Sequence, residues 1–287
     1  MDWLNILIQG ALLGGLYALF AIGLSLSFGI MRLVNIAHGD LIVLSAYIAL
    51  VTINATGLGA IASLVVVVPA MCAVGYALQR GLLNLTLSGG LLPPLLVTFG
   101  ISVIIENVLL ELFGADIQRL HAGTIETASL QLGGIAVGAY PLVVFATAVA
   151  AIAGLQILFY RTALGRAFRA TSDDAETAEL MGIDNRHLYA VAMAIAMIFT
   201  ALAGVLMAIR TTFDPAAGPI RLIFAFEAVI IGGLGSLWGT LLGGMVLGLA
   251  QAVGAALSPT WQILAGHIAF LIILVLRPSG FFPRTRD

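Results

Sequence analysis

Nine runs of hydrophobic residues, separated by short polar stretches, take up most of the sequence. Most of them have about 20 residues without two-residue alternation, a pattern typical of membrane-spanning helices rather than of barrel strands. The runs cover residues 4–29, 41–53, 58–79, 91–113, 135–159, 188–209, 222–231, 237–257 and 260–276. The sequence therefore predicts an all-α, polytopic membrane helix bundle with about eight or nine transmembrane segments.

Two of the runs, 41–53 and 222–231, are shorter than the ~17 residues that a span needs. Each adjoins a polar or glycine-rich stretch, at 35–40 and at 232–236. We interpret both as broken or re-entrant helices, because free backbone at membrane depth is tolerated where it lines a cavity or path. A short tilted helix followed by an ordinary loop would explain each pattern equally well. The residues assigned to a path or gate are Asn35, His38, Gly39, Gly232, Gly233 and Gly235.

Residues 161–187 form one long polar segment between the apolar runs. Within it, Glu176, Ala178 and Gly182 follow the spacing E-x-A-x-x-x-G. We predict a short helix at about 172–181, with Ala175 and Ala178 on a face that contacts another protein and Gly182 as a left-handed C-cap. The segment holds nine charged residues, namely Arg161, Arg166, Arg169, Asp173, Asp174, Glu176, Glu179, Asp184 and Arg186.

Composition supports the membrane assignment. Hydrophobic residues make up 61% of the chain and the mean hydropathy is +1.12, which leaves too little polar surface for a water-soluble fold. Met1, Asp2 and Trp3 lack the basic region of a cleavable signal, so we expect the first span to be retained. Cys72 is the single cysteine and is interpreted as a packing residue. Glycines spaced as G-x-x-x-G near residues 10–14 and 235–248 predict close helix packing, within the chain or across a subunit interface.

Arginine sets the predicted orientation, because the chain has twelve arginines and no lysine. A path of nine crossings with the N-terminus outside places nine of the twelve on one side, which is the cytoplasm by the positive-inside rule. The segments 114–134 and 210–221 then lie outside. The nine cytoplasmic arginines are Arg32, Arg80, Arg161, Arg166, Arg169, Arg186, Arg277, Arg284 and Arg286.

Enzyme motifs are mostly excluded. A P-loop needs a lysine, so ATP, if it is used, would be bound by a partner protein. No G-x-S-x-G occurs, and the histidines at 38, 121, 187 and 267 stand alone without metal-ligand spacing. We expect no catalytic residue, metal or cofactor in this chain, and no nucleic-acid partner.

Glu227 lies inside an apolar run, where an ionisable group costs about 2.5–3.5 kcal/mol. It is assigned either to the transport path or to a structural hydrogen bond with the free amides of a broken helix. Glu106 is interpreted as structural. A secondary transporter that couples to ions through Glu106 and Glu227 stays an alternative, as does, less favoured, an intramembrane enzyme.

The sequence resembles permeases of the branched-chain amino acid ABC importers, of the LivH type, along nearly its whole length. The similarity rests on residues 29–30, 34–40, 98–102, 162–170, 180–183, 225–236 and 277–280. It departs from the family's coupling motif where Thr177 follows Glu176, and the family also includes importers of urea and short amides.

The resemblance implies one ABC permease domain over residues 1–287, in the inner membrane, with loop 161–187 and the C-terminus cytoplasmic. It implies four partners: a second related permease subunit, two cytoplasmic ATPase subunits and an extracytoplasmic substrate-binding protein. In this family the loop would couple ATPase motion to transport, through Glu176, Ala178, Gly182, Arg166 and Arg169.

Overall fold

Long apolar helices make up most of the computed structural model, which describes residues 3–87, 90, 92–132 and 135–282. The helices are α1 (Trp3–Met31), α2 (His38–Thr56), α3 (Leu64–Gly81), α4 (Leu92–Phe113), α5 (Ala139–Arg161), α6 (Ala163–Asp173), α7 (Ala175–Leu180), α8 (Asn185–Arg210), α9 (Gly218–Gly232), α10 (Leu237–Leu257) and α11 (Trp261–Leu276). Short 3-10 turns occur at Leu83–Leu85, Gly123–Glu126 and Pro215–Ala217. One antiparallel hairpin pairs β1 (Ser129–Leu132) with β2 (Ile135–Gly138).

The predicted all-α polytopic bundle is confirmed. Within the described ranges, eight helical segments are long and apolar enough to cross a membrane. The ninth apolar helix, α11, is shorter, but it runs back along α10, because Gly254 lies against the backbone of Trp261 and Gly266 lies against Gln251. Residues 222–257 thus form two separate helices rather than one helix and a hairpin.

α1 is the central helix, and its middle residues 18–22 are completely buried. Glycines let α10 pack directly against it: a Cβ atom at Gly14 would overlap the backbone of Gly244 and Met245, and one at Gly248 would overlap Gly10. This is the close contact that the G-x-x-x-G spacing predicts, and it lies inside one chain.

Both short runs lie in continuous helices, α2 and α9, and the non-helical backbone lies beside them, at 32–37 and 233–236. α2 has 19 residues because it extends from His38 through Asp40, and onward to Thr56. α9 begins at Gly218, upstream of Arg221, and the 3-10 turn before it lengthens the segment to 18 residues. Charged residues in these first turns made the runs look short. The run at 135–159 was also read too long, since its first residues form β2.

Two ends of the bundle can be distinguished. At one end, Ser172 Oγ donates to the carbonyl oxygen of Gly29 (2.7 Å), and Arg80 pairs with Asp184 (3.6 Å). Of the nine arginines that the predicted topology places on one side, those from Arg32 to Arg277 belong to segments at this end. At the other end, the backbones of Gln118 and Phe213 pair. Arg284 and Arg286 of the tail lie outside the described residues.

Candidate functional site

A non-helical segment, residues 32–37, runs back along α1 before α2 begins. The ring nitrogen Nε2 of His38 bonds to the carbonyl oxygen of Phe20 at 2.7 Å, about three turns before the Met31 end of α1. Side chains hold the segment in place: the amide of Ile36 donates to Thr98 Oγ1 (3.2 Å), and that of Ala37 to Asn35 Oδ1 (3.0 Å). The irregular backbone predicted at 35–40 is observed at 32–37, between α1 and α2, where protein stabilises it, whereas residues 38–40 are helical.

Asp40, in the first turn of α2, is a polar residue that the sequence analysis did not assign to the site. It is 2% exposed, its Oδ2 accepts a hydrogen bond from Ser102 Oγ (2.5 Å), and its Oδ1 has no partner among the described residues. A carboxylate at the start of an apolar run was the available signal. Gly39 next to it allows close packing, since a Cβ atom there would overlap the carbonyl oxygen of Gly218 at the start of α9.

Glu227 belongs to a second polar group, between α9 and α11. The side chain is buried, its Oε1 bonds to Nδ1 of His267, and its Oε2 has no partner among the described residues. His267 thus has a side-chain partner 40 positions away, on another helix, which its neighbours in the sequence do not indicate. Glu227 bonds to a side chain, so the alternative of a bond to free helix amides is not what the structure has.

Phe224 connects this group to α1. Its ring lies 6.2 Å from the His267 ring, nearly parallel to it, and 5.1 Å from the Tyr17 ring. The hydroxyl of Tyr17 donates to Gln251 Oε1 (2.5 Å), while Gln251 Nε2 has no partner within the described part of the chain. Buried polar groups are normally bonded, so the unpartnered atoms of Glu227 and Gln251 mark a place suited to a polar ligand.

The three predicted path groups do not converge on one point but follow α1. Glu227 connects to Tyr17 through Phe224, His38 bonds at Phe20, and the glycine turn at 233–236 shares a cavity wall with Ser25.

The glycine turn connects α9 to α10. Gly233 and Gly235 have positive φ angles of 102° and 82°, which side-chain-bearing residues rarely adopt. Gly232 packs against Gly239 so closely that a Cβ atom would overlap its carbonyl oxygen. The segment after α11 closes over this turn, with the amide of Phe282 donating to the carbonyl oxygen of Gly232 (3.0 Å).

The polar segment folds into α6 and α7, and its own side chains cap each helix. Thr162 accepts from the amide of Gly165 (3.0 Å), and Asp174 accepts from those of Glu176 (3.1 Å) and Thr177 (3.0 Å). Hydrogen bonds from the Thr177 side chain and backbone lower the pKa of Asp174. The amide of His187, with Arg80 nearby, likewise lowers the pKa of Asp184, which caps α8.

The predicted C-cap at Gly182 is confirmed. Its φ is +88°, its amide donates to Glu179 (2.9 Å), and the amide of Ile183 donates to Ala178 (3.1 Å), which together form a Schellman motif. α7 itself is shorter than predicted, at six residues.

The predicted contact face of α7 was wrong. Ala178 is 4% exposed and packs inside the chain, because α7 lies on α6 and α8. The residues that face outward are larger and more apolar: Leu180 is 83% exposed and Met181 is 80% exposed. Glu176 and Arg166 are exposed as well. Arg169 is half-buried, donates to the carbonyl oxygen of Phe159 and lies over the Tyr160 ring (5.1 Å).

Comparisons with known proteins agree with this architecture. The family model described as branched-chain amino acid transport system / permease component matches residues 6–276. The high-affinity branched-chain amino acid transport system permease protein BraD of Pseudomonas aeruginosa is 29% identical over 98% of this chain and 96% of that protein. LivH of Escherichia coli, a permease protein of the same description, is 26% identical over 98% of this chain and 96% of LivH.

LivM of Escherichia coli, also named as a permease protein of the high-affinity branched-chain amino acid transport system, is 26% identical over 94% of this chain and 68% of LivM. One organism thus has two permease proteins of this description that match the chain. With a family model that covers nearly every residue, the chain belongs to the branched-chain amino acid transport permease family and is a multi-pass membrane permease of the LivH type.

Proposed function

We propose that this chain is the membrane-spanning permease subunit of an ATP-driven ABC importer, and that it translocates branched-chain amino acids delivered by an extracytoplasmic binding protein. It would be a single permease domain and would pair with a second, related permease subunit, as the match to both LivH and LivM supports. Two cytoplasmic ATPase subunits would bind and hydrolyse ATP.

The observation that carries the proposal is the exposed apolar pair Leu180 and Met181 at the end of α7. Exposed large apolar residues on a polar segment outside the spans are typical of a protein interface. The Schellman motif at Gly182 fixes the direction of the chain directly after this pair, so the pair has a defined position for docking to an ATPase.

Motion of the docked pair would reach the spans through the contacts of the loop. Asn185 of α8 donates to the carbonyl oxygen of Ala175 (2.6 Å) and accepts from Thr171 (3.1 Å), which ties α6 and α7 to α8. Ser172 ties α6 to the end of α1 at Gly29. α1 in turn carries the Phe20 carbonyl that holds His38. A displacement of α7 would therefore be passed on to α8 and to α1, along which the path groups lie.

Substrate would pass the polar groups that lie along α1. A branched-chain amino acid has an apolar side chain and an ammonium group. Glu227 Oε2 and Asp40 Oδ1 are buried carboxylate oxygens that have no partner among the described residues and could accept from such a group. The apolar residues around these polar groups suit the aliphatic side chain of the substrate.

The end that carries the loop is assigned to the cytoplasm, because nine of the twelve arginines lie on that side of the predicted path. In a Cys72→Ser background, Glu176→Cys should resist a membrane-impermeant thiol reagent in intact cells, while Ile117→Cys should react. Both positions are exposed, so the side of the membrane decides the result. Labelling of Glu176→Cys from outside would contradict the orientation. A cysteine at Thr285 would extend the test to the tail, outside the described residues.

ATPase coupling is tested by Leu180→Asp combined with Met181→Asp. The double variant should insert normally but lose the ATPase subunits in a detergent pull-down, together with substrate-stimulated ATP hydrolysis. Ile117→Asp is the matched control, since Ile117 is 68% exposed at the other end of the bundle.

Uptake by the chain alone, driven by a proton or sodium gradient without ATPase subunits, would instead establish the ion-coupled alternative. If urea, but not leucine, inhibited uptake by the transporter, the substrate would belong to the class of urea and short amides instead of branched-chain amino acids.

A further inference from the structure

A cavity of about 600 Å³ opens beside the glycine turn, away from the Glu227 and Asp40 groups. Helices α1, α5, α6 and α10 and the segment after α11 contribute to its walls. The residues that matter for its chemistry are Ser25, Ile30, Arg169, Trp238, Phe281 and Phe282. Small-molecule sites in proteins have volumes of roughly 300–1,000 Å³, so the cavity has the size of a ligand site.

One side of the cavity is suited to an anion. It includes the N-terminus of α10, where Ser236 accepts from the amide of Gly239 (3.1 Å) and leaves the amides of Leu237 and Trp238 without an intrahelical acceptor. Ser25 is 1% exposed, lines the same cavity, and its hydroxyl has no partner among the described residues. The guanidinium of Arg169, held over the Tyr160 ring, adds a positive charge to the wall.

The remainder of the cavity is suited to an aliphatic group, because Ile30, Phe281 and Phe282 form an apolar wall. None of the described residues that line it is acidic, so nothing there would pair with an ammonium group. The site therefore differs from the groups around Glu227 and Asp40, where carboxylate oxygens are available. A monoanion with an apolar body fits these walls better than a zwitterionic amino acid does.

We propose that this cavity binds a short aliphatic carboxylate without an amino group. The carboxylate would accept from the amides of Leu237 and Trp238 and from the Ser25 hydroxyl, and the aliphatic body would lie against Ile30 and Phe281. A ligand there would contact both α6 of the loop and the glycine turn, and would hold them together. The inference rests on the proposed function only for placing this end of the protein in the cytoplasm.

Equilibrium binding of labelled 4-methyl-2-oxopentanoate to the whole transporter complex tests the site. The complex is placed in nanodiscs of neutral phosphatidylcholine, without nucleotide or binding protein, so that the result is independent of transport. We expect saturable binding that excess unlabelled 2-oxo acid removes and that leucine at the same concentration leaves in place. Ser25→Ala should weaken binding about tenfold, because it removes one hydrogen bond to a charged group.

Ser27→Ala is the matched control, since Ser27 is equally buried on α1 but bonds to the carbonyl oxygen of Gly23 (2.9 Å) and does not line the cavity. Its affinity should equal that of the parent. Absence of saturable binding, equal loss in both serine variants, or displacement by leucine would each overturn the proposal. If phosphatidylglycerol in the nanodisc abolishes binding at the same concentration of labelled 4-methyl-2-oxopentanoate, the cavity is a lipid headgroup site and the proposal fails.

Discussion

Polar side chains make different bonds in the α6–α7 loop and between the long helices. In the loop, Thr162 and Asp174 each accept hydrogen bonds from the helix that follows them, and Asn185 bonds to α6 and α7. Between the long helices, by contrast, buried Asp40 and Glu227 each bond through one carboxylate oxygen and leave the other without a partner in the described part of the chain.

The difference separates structural polarity from functional polarity. An unpartnered buried polar group costs about 1–3 kcal/mol, so a sequence that only had to be stable would not keep several of them. The loop uses several of its polar groups to fix its own shape, and it exposes the apolar pair Leu180 and Met181 among its charged side chains. The bundle is apolar on its outside and keeps free acceptors inside, next to the proposed path.

The same substitution in both regions gives the largest expected effect. Gly39→Ala adds a methyl group that overlaps the backbone of Gly218, and α2 and α9 must separate to accept it. We expect a loss of about 3 kcal/mol, seen as a lower melting temperature and poor recovery from detergent. Gly182→Ala meets open space and costs only the positive φ of about 1 kcal/mol.

Gly100→Ala is the control for the method, since Gly100 lies in an apolar helix with open space around it. Gly100→Ala should have the same melting temperature as the parent protein. Equal melting temperatures for Gly39→Ala and Gly100→Ala would show that the contact between α2 and α9 is not tight.

Removal of one free acceptor should reduce transport rather than stability. Glu227→Gln keeps the volume and a hydrogen bond to His267 but loses the carboxylate. If Oε2 accepts from the substrate, we expect uptake in proteoliposomes to fall about tenfold, with an unchanged yield of complex. Glu106→Gln should transport normally, because Glu106 was not assigned to the path. Full uptake by Glu227→Gln would remove Glu227 from the path, while equal losses in both variants would favour the ion-coupled alternative.

The sequence predicted elements that depend on local patterns. Apolar runs located the helices, and the left-handed cap at Gly182 followed from glycine after a short polar helix. The predicted starts of α2 and α9 were wrong because each helix has a charged residue in its first turn, Asp40 or Arg221. Hydropathy alone cannot distinguish such a helix start from a loop. The pairing of Glu227 with His267 could not be predicted, since it depends on how α9 and α11 pack. For the same reason Ala178 was assigned outward, although its side is covered by its own chain.

The smallest expected effect concerns the cap of α7. Because the folded-state pKa of Asp174 is lowered by the bonds from Thr177 and Glu176, the cap contributes fully above the ordinary pKa of an aspartate, about 4, and is lost as pH falls through the lowered value. Hydrogen exchange of the peptide that contains α7, corrected for the intrinsic rate, should therefore rise only in the acid range. Asp174→Asn keeps an N-cap that does not titrate and should lose this pH dependence, whereas Asp174→Ala should exchange faster at every pH. Unchanged protection in Asp174→Ala would mean that contacts with α6 and α8, and not the cap, hold α7 in place.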